Sequence, residues 1–481
     1  MQQLSKHVLS GRPETGLLAL PEKVLQFGTG VLLRGLPDYL IDQANRQGIF
    51  NGRVVVVKST DTGDASAFER QDGLYTLCIR GFENGRPVSE NIISSAISRV
   101  LSAGKQWPEI LACAANPLLE MVVSNTTEVG LQMVREDICQ SPPNSFPGKL
   151  LAFLLARYQV FQGDTSKGLV IVPTELLPEN GKLLKSILLE LAQLNTLESG
   201  FVDWLENACT FCNSLVDRIV PGKASAAQTA ALEEILGYRD ELLAVAEPYC
   251  LWAIEGDEKV ASILSFQQAN PESVIIAPNI ERYRERKIRL LNGAHTLSCA
   301  LAYMSGFNTV RAAMENADMA AFIERLLLEE IAPAIPYALP PGDAEQFGRQ
   351  VLDRFRNPAV EHRWLSISVQ YSAKMRMRNI PVLLERYRKN ETPPPCFALG
   401  FAAFLCFYRK PDFTIQDDTA AYFIEKWETL PPKDLVYKIL ADKDLWGADL
   451  SILPGFKELV FQFVSDILAG GAQQVLHDLM R

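Results

Sequence analysis

Val24-Leu25-Gln26-Phe27-Gly28-Thr29-Gly30-Val31-Leu32-Leu33-Arg34-Gly35 is the stretch on which the fold turns. Its first four residues form a short, mainly apolar run that reads as a strand ending at Gly28. The segment from Leu33 to Gln47 reads as a helix. Two glycines one residue apart let a backbone turn tightly and approach a pyrophosphate at a helix N-terminus. The pattern opens as G-x-G but is not the full G-x-G-x-x-G, because Leu33 stands at the third glycine position. Gly28, Gly30 and the nearby Arg34 are the first expected cofactor contacts.

Outward from this loop, strand-like and helix-like segments alternate. Val54 to Val57 is a β-branched run of the kind buried in parallel sheets. Glu120 to Ser124, Gly168 to Val172 and Ser273 to Ala277 are further strand candidates, and Leu74 to Arg80 with Arg86 to Ser94 reads as an inserted strand pair. Pro147 to Phe161 and Gly181 to Leu194 read as helices. The alternation predicts a doubly wound α/β Rossmann-type domain. After about residue 285 strand patterns nearly vanish. Leu290 to Met304, Val310 to Glu315, Met319 to Glu330, Asp343 to Arg356, Phe397 to Tyr408, Ala420 to Glu428 and Glu458 to Met480 all read as helices. The expected division is residues 1–284, dinucleotide-binding, and 285–481, a mostly α-helical substrate domain. The second strand ends in Lys58-Ser59-Thr60, with Asp61 slightly late for the acid that usually holds a ribose in NAD sites. Lys58 would instead suit a 2′-phosphate, so the residues alone leave NAD and NADP open. Asn125 and Thr126 follow a strand at the expected edge and either touch the cofactor or cap a turn.

Composition narrows the function classes. A chain of 481 residues suggests two or three domains. A net charge of −10 argues against general binding to nucleic acid or a membrane surface. No apolar run of about 18 residues predicts a transmembrane helix. Met1 to Leu20 lacks the regions of a signal peptide, so the expected location is cytoplasmic. The nine cysteines are scattered and read as free thiols. Cys209-x-x-Cys212 is the one arrangement that suggests a redox or half-zinc site. Two basic clusters, Arg282 to Arg289 and Lys374-Arg376-Arg378, are either solvated helix faces or receivers for an anionic substrate, since arginine can bind both oxygens of a carboxylate.

Lys287-Ile288-Arg289-Leu290-Leu291-Asn292-Gly293-Ala294-His295 places a lysine, an amide and an imidazole within nine residues. Metal-free reduction of a ketone needs such groups: one to move a proton and donors to hold the oxygen as it gains charge. On an α-helix Lys287, His295 and Asn292 would fall at roughly 0°, 80° and 140°, sharing one broad side.

Here the residues resemble a known family, the polyol-specific long-chain dehydrogenases, which include mannitol dehydrogenases and hexuronate reductases. The likeness spans nearly the whole chain. It rests on Leu25-Gln26-Phe27-Gly28-Thr29-Gly30, Gln71-Asp72-Gly73-Leu74-Tyr75-Thr76, Ser124-Asn125-Thr126-Thr127-Glu128, Leu215-Val216-Asp217-Arg218-Ile219-Val220, Glu285-Arg286-Lys287, Leu291 to Thr296, and Arg354-Phe355-Arg356-Asn357-Pro358. It implies a Rossmann-type domain followed by a helical domain of the 6-phosphogluconate dehydrogenase C-terminal type, with catalysis in the cleft between. It also implies metal-independent hydride transfer with NAD(H). In the family the lysine matching Lys287 is the general acid/base, Asn292 holds the substrate oxygen, and His295 positions that oxygen or the lysine. Asp217 and Lys374 match substrate-binding positions, with Arg378 beside the latter. Mannitol dehydrogenases carry Cys-Asp-Asn-Leu-Pro, whose asparagine is a second oxyanion donor. This chain has Thr174-Glu175-Leu176-Leu177-Pro178, which resembles the hexuronate reductase branch, and Asn180 is not an evident substitute. That branch interconverts keto-hexuronates such as tagaturonate with aldonates such as altronate. Its members also carry a basic residue at the place of Lys58 while using NAD, which favours NAD over NADP. Fructuronate reduction and mannitol or polyol oxidation are the enzymatic alternatives, and a non-catalytic NAD-binding sensor is the alternative from another class. The expected partners are a small sugar acid and, as monomer or homodimer, at most a second copy.

Overall fold

The computed structural model describes residues 1–481 apart from 10, 12, 60–64, 127–129, 223–225, 391 and 410–412. Asp61, Thr127 and Glu128 therefore lie outside the described residues. The chain forms two compact units, residues 1–80 with 88–280, and residues 81–87 with 281–481.

The first unit is built on six parallel strands, β1 (Glu22–Phe27), β2 (Arg53–Lys58), β3 (Ile97–Ser102), β4 (Met121–Ser124), β5 (Val170–Pro173) and β6 (Thr210–Phe211). Their order is β3-β2-β1-β4-β5-β6, which is the doubly wound order with its switch point between β1 and β4. The valines of β2 show why the sheet is buried on both sides. Val54 and Val56 join one apolar core, while Val55 and Val57 join another. Alternate side chains of a strand point to opposite faces, so a continuous apolar run needs cover on both. Phe27 pairs with Val57 on one side and with Ser124 on the other, and Ser124 pairs with Pro173. The carboxyl ends of the four central strands are thus level, and the residues following them share one edge.

Three strands stand apart from this sheet. β7 (Ser214–Asp217) pairs antiparallel with β8 (Leu251–Glu255), which pairs parallel with β9 (Val274–Ala277). The strand read at Ser273 to Ala277 is present but belongs to this smaller sheet. Another three-stranded sheet contains the hairpin Tyr75–Glu83 and Arg86–Ser94. The helix expected from Leu33 to Gln47 is two helices, α1 (Val31–Gly35) and α2 (Pro37–Arg46). A residue preceding proline is pushed out of the α region, and Leu36, at φ −132°, breaks the helix there.

The second unit is helical. Helix α3 (Gly293–Met304) is buried almost all round, as is α6 (Pro395–Phe407), whose thirteen residues contain no charged side chain. Between them in sequence lie α4 (Asp343–Phe355) and α5 (Tyr371–Arg378). The helix expected from Glu458 to Met480 is α7 (Phe456–Gly470) and α8 (Ala472–Met480), parted at Gly471, where φ is +84°. Among the described residues no helix is long and apolar enough to cross a membrane.

Candidate active site

The first unit builds a loop with two differently constrained glycines. Gly28 continues the β1–β2 pairing through its N–H to the Val57 carbonyl at 3.0 Å. Its φ is +125°, and a Cβ there would sit 2.9 Å from both the Asn125 carbonyl oxygen and the Leu33 side chain. Leu33, standing at the missing third glycine, fills the space beneath the first, so the chain itself requires Gly28. Gly30, at the N-cap of α1, has an ordinary φ of −64°, and a Cβ there would meet nothing within 4 Å. The chain does not require that glycine; a group drawn close to the backbone would.

The loop is held from below. Gln26 donates to the Gly28 carbonyl at 3.3 Å and to Asp38 at 3.4 Å. Arg34 is buried, donates to the Thr29 carbonyl at 2.8 Å and lies over the rings of Phe68 and Tyr75. It therefore braces the loop from within. Lys58 ends β2 with only 8 % of its surface exposed.

Beyond β4, Asn125 donates its amide to the Thr174 carbonyl and hydroxyl at 3.1 and 3.0 Å. The buried carboxylate of Glu175 accepts from the Thr126 N–H at 2.8 Å, the Thr126 hydroxyl and Ser124 Oγ. These bonds staple residues 124–126 to 174–175, beside Gly28. Leu176, where mannitol dehydrogenases carry the second oxyanion asparagine, is 62 % exposed. Asn180 does not replace that donor. It is buried, its amide serves the carbonyls of Pro173, Glu175 and Ser214, and its oxygen accepts from the Ser214 N–H.

Asp217 is buried at the end of β7. Its neighbour Arg218 donates to the carbonyls of Glu247 and Gly35 and lies 4.5 Å over the Tyr39 ring. Cys209 and Cys212 are divided between the two apolar cores of the unit. Burial pushes each thiol up to about 12, which opposes the thiolate a metal or redox site needs.

In the second unit, Lys287–Asn292 is not α-helical but a π turn, set between the helix Glu281–Arg286 and α3. Its i→i+5 pattern closes one turn between positions five apart, which are the positions of Lys287 and Asn292. The two stand nearer one line than the 140° of an α-helix would place them. Lys287 is half-buried. The Asn292 carbonyl accepts from Thr296 Oγ1 at 2.9 Å and from Arg378 at 3.4 Å, and Arg378 reaches Thr296 Oγ1 at 3.1 Å.

His295 is buried. Its ring stacks on Phe355 at 4.1 Å and 13°, and meets His362 edge-on at 4.9 Å and 78°. Nε2 has no hydrogen-bond partner. Burial, then His362, Arg354 and Arg378, hold the imidazole well below its ordinary pKa, so it is neutral. Arg354 and His362 join the set of expected residues here. They arrive on other elements, and the sequence signal for them was slight: His362 is one of only four histidines, close behind the Arg354–Pro358 motif.

The basic clusters divide sharply. Arg286 pairs with Asp343 at 2.7 Å and Arg284 with Glu281 at 3.7 Å. Arg289 clasps both oxygens of Glu285 and donates to the carbonyls of Met377 and Arg378. Arg376 is exposed and donates to the Asp444 carbonyl. Among the described residues no carboxylate pairs with Lys374 or Arg378. Lys374 gives one hydrogen bond, to the Ile367 carbonyl at 3.0 Å. Burial and Arg378 lower its pKa, and burial alone lowers that of Arg378 to about 10. Asp417 acts on Lys374 only from beyond ion-pair distance, and two partly buried cations outside any direct ion pair favour an anion.

Comparison with known proteins agrees with this architecture. Residues 22–268 match the mannitol dehydrogenase Rossmann domain, and residues 279–468 match the mannitol dehydrogenase C-terminal domain. The chain is 38 % identical over 484 residues to the altronate oxidoreductase of Bacillus subtilis, covering 99 % of this chain and 98 % of that one. It is 37 % identical to the altronate oxidoreductase of Shigella flexneri, covering 95 % and 97 %. In fold it is similar to mannitol 2-dehydrogenase of Pseudomonas fluorescens, solved in ternary complex with NAD and D-mannitol, with a TM-score of 0.70 at 21 % identity over 100 % of this chain and 99 % of that one. It is also similar to a D-sorbitol dehydrogenase, with a TM-score of 0.76 at 19 % identity over 96 % of each chain. The level edge of the parallel sheet, the glycine loop upon it and the helical second unit are those of a polyol-type oxidoreductase, and the chain belongs to the mannitol dehydrogenase family.

Proposed function

We propose that this oxidoreductase interconverts D-tagaturonate and D-altronate with NAD(H), using Lys287 as the proton carrier. The observation that carries the choice of an acid substrate is the pair Lys374 and Arg378, neither in a direct ion pair with a described carboxylate, with Arg378 adjoining Asn292 and His295. The names borne by the relatives agree with it.

The backbone at Gly28 and Gly30 and the stapled segment Asn125–Thr126 would hold the dinucleotide, which when bound supplies or accepts the hydride. The open side of Gly30 and the braced loop fit such a group. A buried Lys58 is poorly placed to meet a 2′-phosphate, which supports NAD over NADP. Lys287, as an ammonium, gives its proton to the carbonyl oxygen as negative charge develops there. In the oxidative direction the neutral amine takes the hydroxyl proton back. The Asn292 amide donates to the same oxygen. His295, held neutral, neither competes as an acid nor adds charge, and its partnerless Nε2 is available to orient the substrate.

The test is turnover by the purified chain of tagaturonate, fructuronate, fructose and mannitol with NAD(H) and NADP(H), together with Lys287→Ala. Loss of roughly 10²–10⁴ in kcat in the variant, with NADH binding retained, supports the role of the lysine. Near-wild-type turnover by the variant rejects it, and a strong preference for an uncharged sugar rejects the acid substrate.

A further inference from the structure

The mechanism above makes no use of His362. Its backbone is pinned on both sides. The Val310 N–H donates to the His362 carbonyl at 2.9 Å, the Trp364 N–H donates to the Asn308 carbonyl at 3.1 Å, and Thr309 and Arg363 form an antiparallel bridge between them. The ring is half-buried and edge-on to His295. Among the described residues neither ring nitrogen has a hydrogen-bond partner. A side chain whose backbone is fixed and whose polar atoms are left to something outside the protein is built like a ligand contact.

We propose that His362 is a specificity-determining residue which, together with Lys374, receives the carboxylate of the sugar-acid substrate. This deepens the functional reading above and rests on it. The charges around the ring favour an anion. Lys374 faces it, and Arg354 and Arg378 face the adjoining His295. The neighbouring acids are already committed. Glu361 pairs with Arg363 at 2.9 Å, and both are exposed. Asp417 accepts from the Ser372 N–H and hydroxyl, the Tyr408 hydroxyl and Thr419. Asp353 accepts from the Gly85 N–H. Lys374 has donors beyond its one bond to Ile367. An imidazole N–H and an ammonium on one carboxylate supply two charge-assisted bonds from different directions. A terminal hydroxymethyl group at the same place offers no charge to either, so the pair separates sugar acids from uncharged ketoses.

The test compares wild type, His362→Ala and His362→Gln for KM and kcat with tagaturonate and with fructose, alongside melting temperature and NADH affinity. Removing a hydrogen bond to a charged group raises KM for tagaturonate by roughly ten- to a hundredfold. Little change is expected in kcat, in KM for fructose or in NADH affinity, and glutamine should restore part of the loss. Equal rises in both KM values, or none, overturn the proposal while leaving the reductase reading intact. Failure of the wild type to reduce any sugar acid overturns both. If the alanine variant does not fold, the glutamine variant carries the same comparison.

Discussion

Gly28 and Gly30 are separated by one residue, yet they should fail in different ways when given a methyl group. At Gly28 the backbone lies at φ +125°, and the new Cβ would meet two atoms at 2.9 Å, one of them the backbone oxygen of Asn125. A sparsely populated conformation costs about 1–3 kcal/mol, and overpacking typically adds about 1–3 kcal/mol. Gly28→Ala should therefore destabilise the first unit by roughly 2–5 kcal/mol. At about 2–4 °C per kcal/mol for a domain near this size, the melting temperature falls by roughly 5–15 °C. At Gly30 φ is normal and nothing lies within 4 Å, so the fold loses at most about 1 kcal/mol from the weaker N-cap. Its methyl group would stand where the pyrophosphate must approach, and a tenfold weaker NADH complex is the least that contact should cause, about 1.4 kcal/mol. Thermal melts without ligand and titration of NADH fluorescence separate the two effects. Wild-type NADH affinity in Gly30→Ala, with or without a normal melt, would refute the assignment of this loop to the cofactor.

Three further outcomes follow from buried groups. Asn180→Ala removes a donor from the Ser214 carbonyl and the acceptor of the Ser214 N–H, while the Pro173 and Glu175 carbonyls keep Ser214 Oγ and the Leu177 N–H as donors; at about 1–3 kcal/mol for each group left unsatisfied, denaturant melts should show a loss of roughly 2–5 kcal/mol. Arg289→Ala leaves Glu285 without its ion partner and releases the carbonyls of Met377 and Arg378, so it should cost about 3–5 kcal/mol and raise KM for the sugar acid, read from melts and steady-state kinetics. Burial raises the pKa of Asp38 to about 7, against about 3.9 unfolded. Between those values the folded chain holds the extra proton, so this group's contribution to stability is full below about pH 4 and declines as pH rises to about 7. Asp38→Asn should flatten that decline, and its stability relative to wild type should grow from pH 5 to pH 8; a constant difference would show that Asp38 does not titrate there.

The sheet was legible where burial is two-sided. Val54 to Val57 declares itself because both faces are covered. β3 does not, because Ser98 and Arg99 interrupt its apolar run to reach Glu22, and β6 is only two residues long. Ser273 to Ala277 reads as a strand, but nothing local to it says which sheet it joins. Lys287, Asn292 and His295 were legible as a group because they are neighbours in the chain. His362, Arg354 and Phe355 come to His295 from other elements, and that meeting is a product of helix packing. The sequence likewise carried both basic clusters, but not which arginines had acids beside them. Glu285 and Asp343 settle that for Arg289 and Arg286, and the second of these acids lies far along the chain.

The π turn at Lys287–Asn292 has a consequence for how the chain can vary in length. A π turn is a helix carrying one residue more than its hydrogen-bond ladder needs. Deleting Arg289 or Leu290 would let the backbone close into regular α geometry, but both are buried, and loss of Arg289 would leave Glu285 without its ion partner. In a π turn residue i+5 takes the place that i+4 takes in an α-helix, so after the deletion Lys287 and Asn292 would stand four apart, about 40° from one line, and the flanking helices would keep their orientation. Backbone regularity alone favours the shorter chain, and the side chains packed in the turn favour the longer one. Deletion of Arg289 or of Leu290 should therefore lower the melting temperature while keeping Lys287 and Asn292 on one side of the helix.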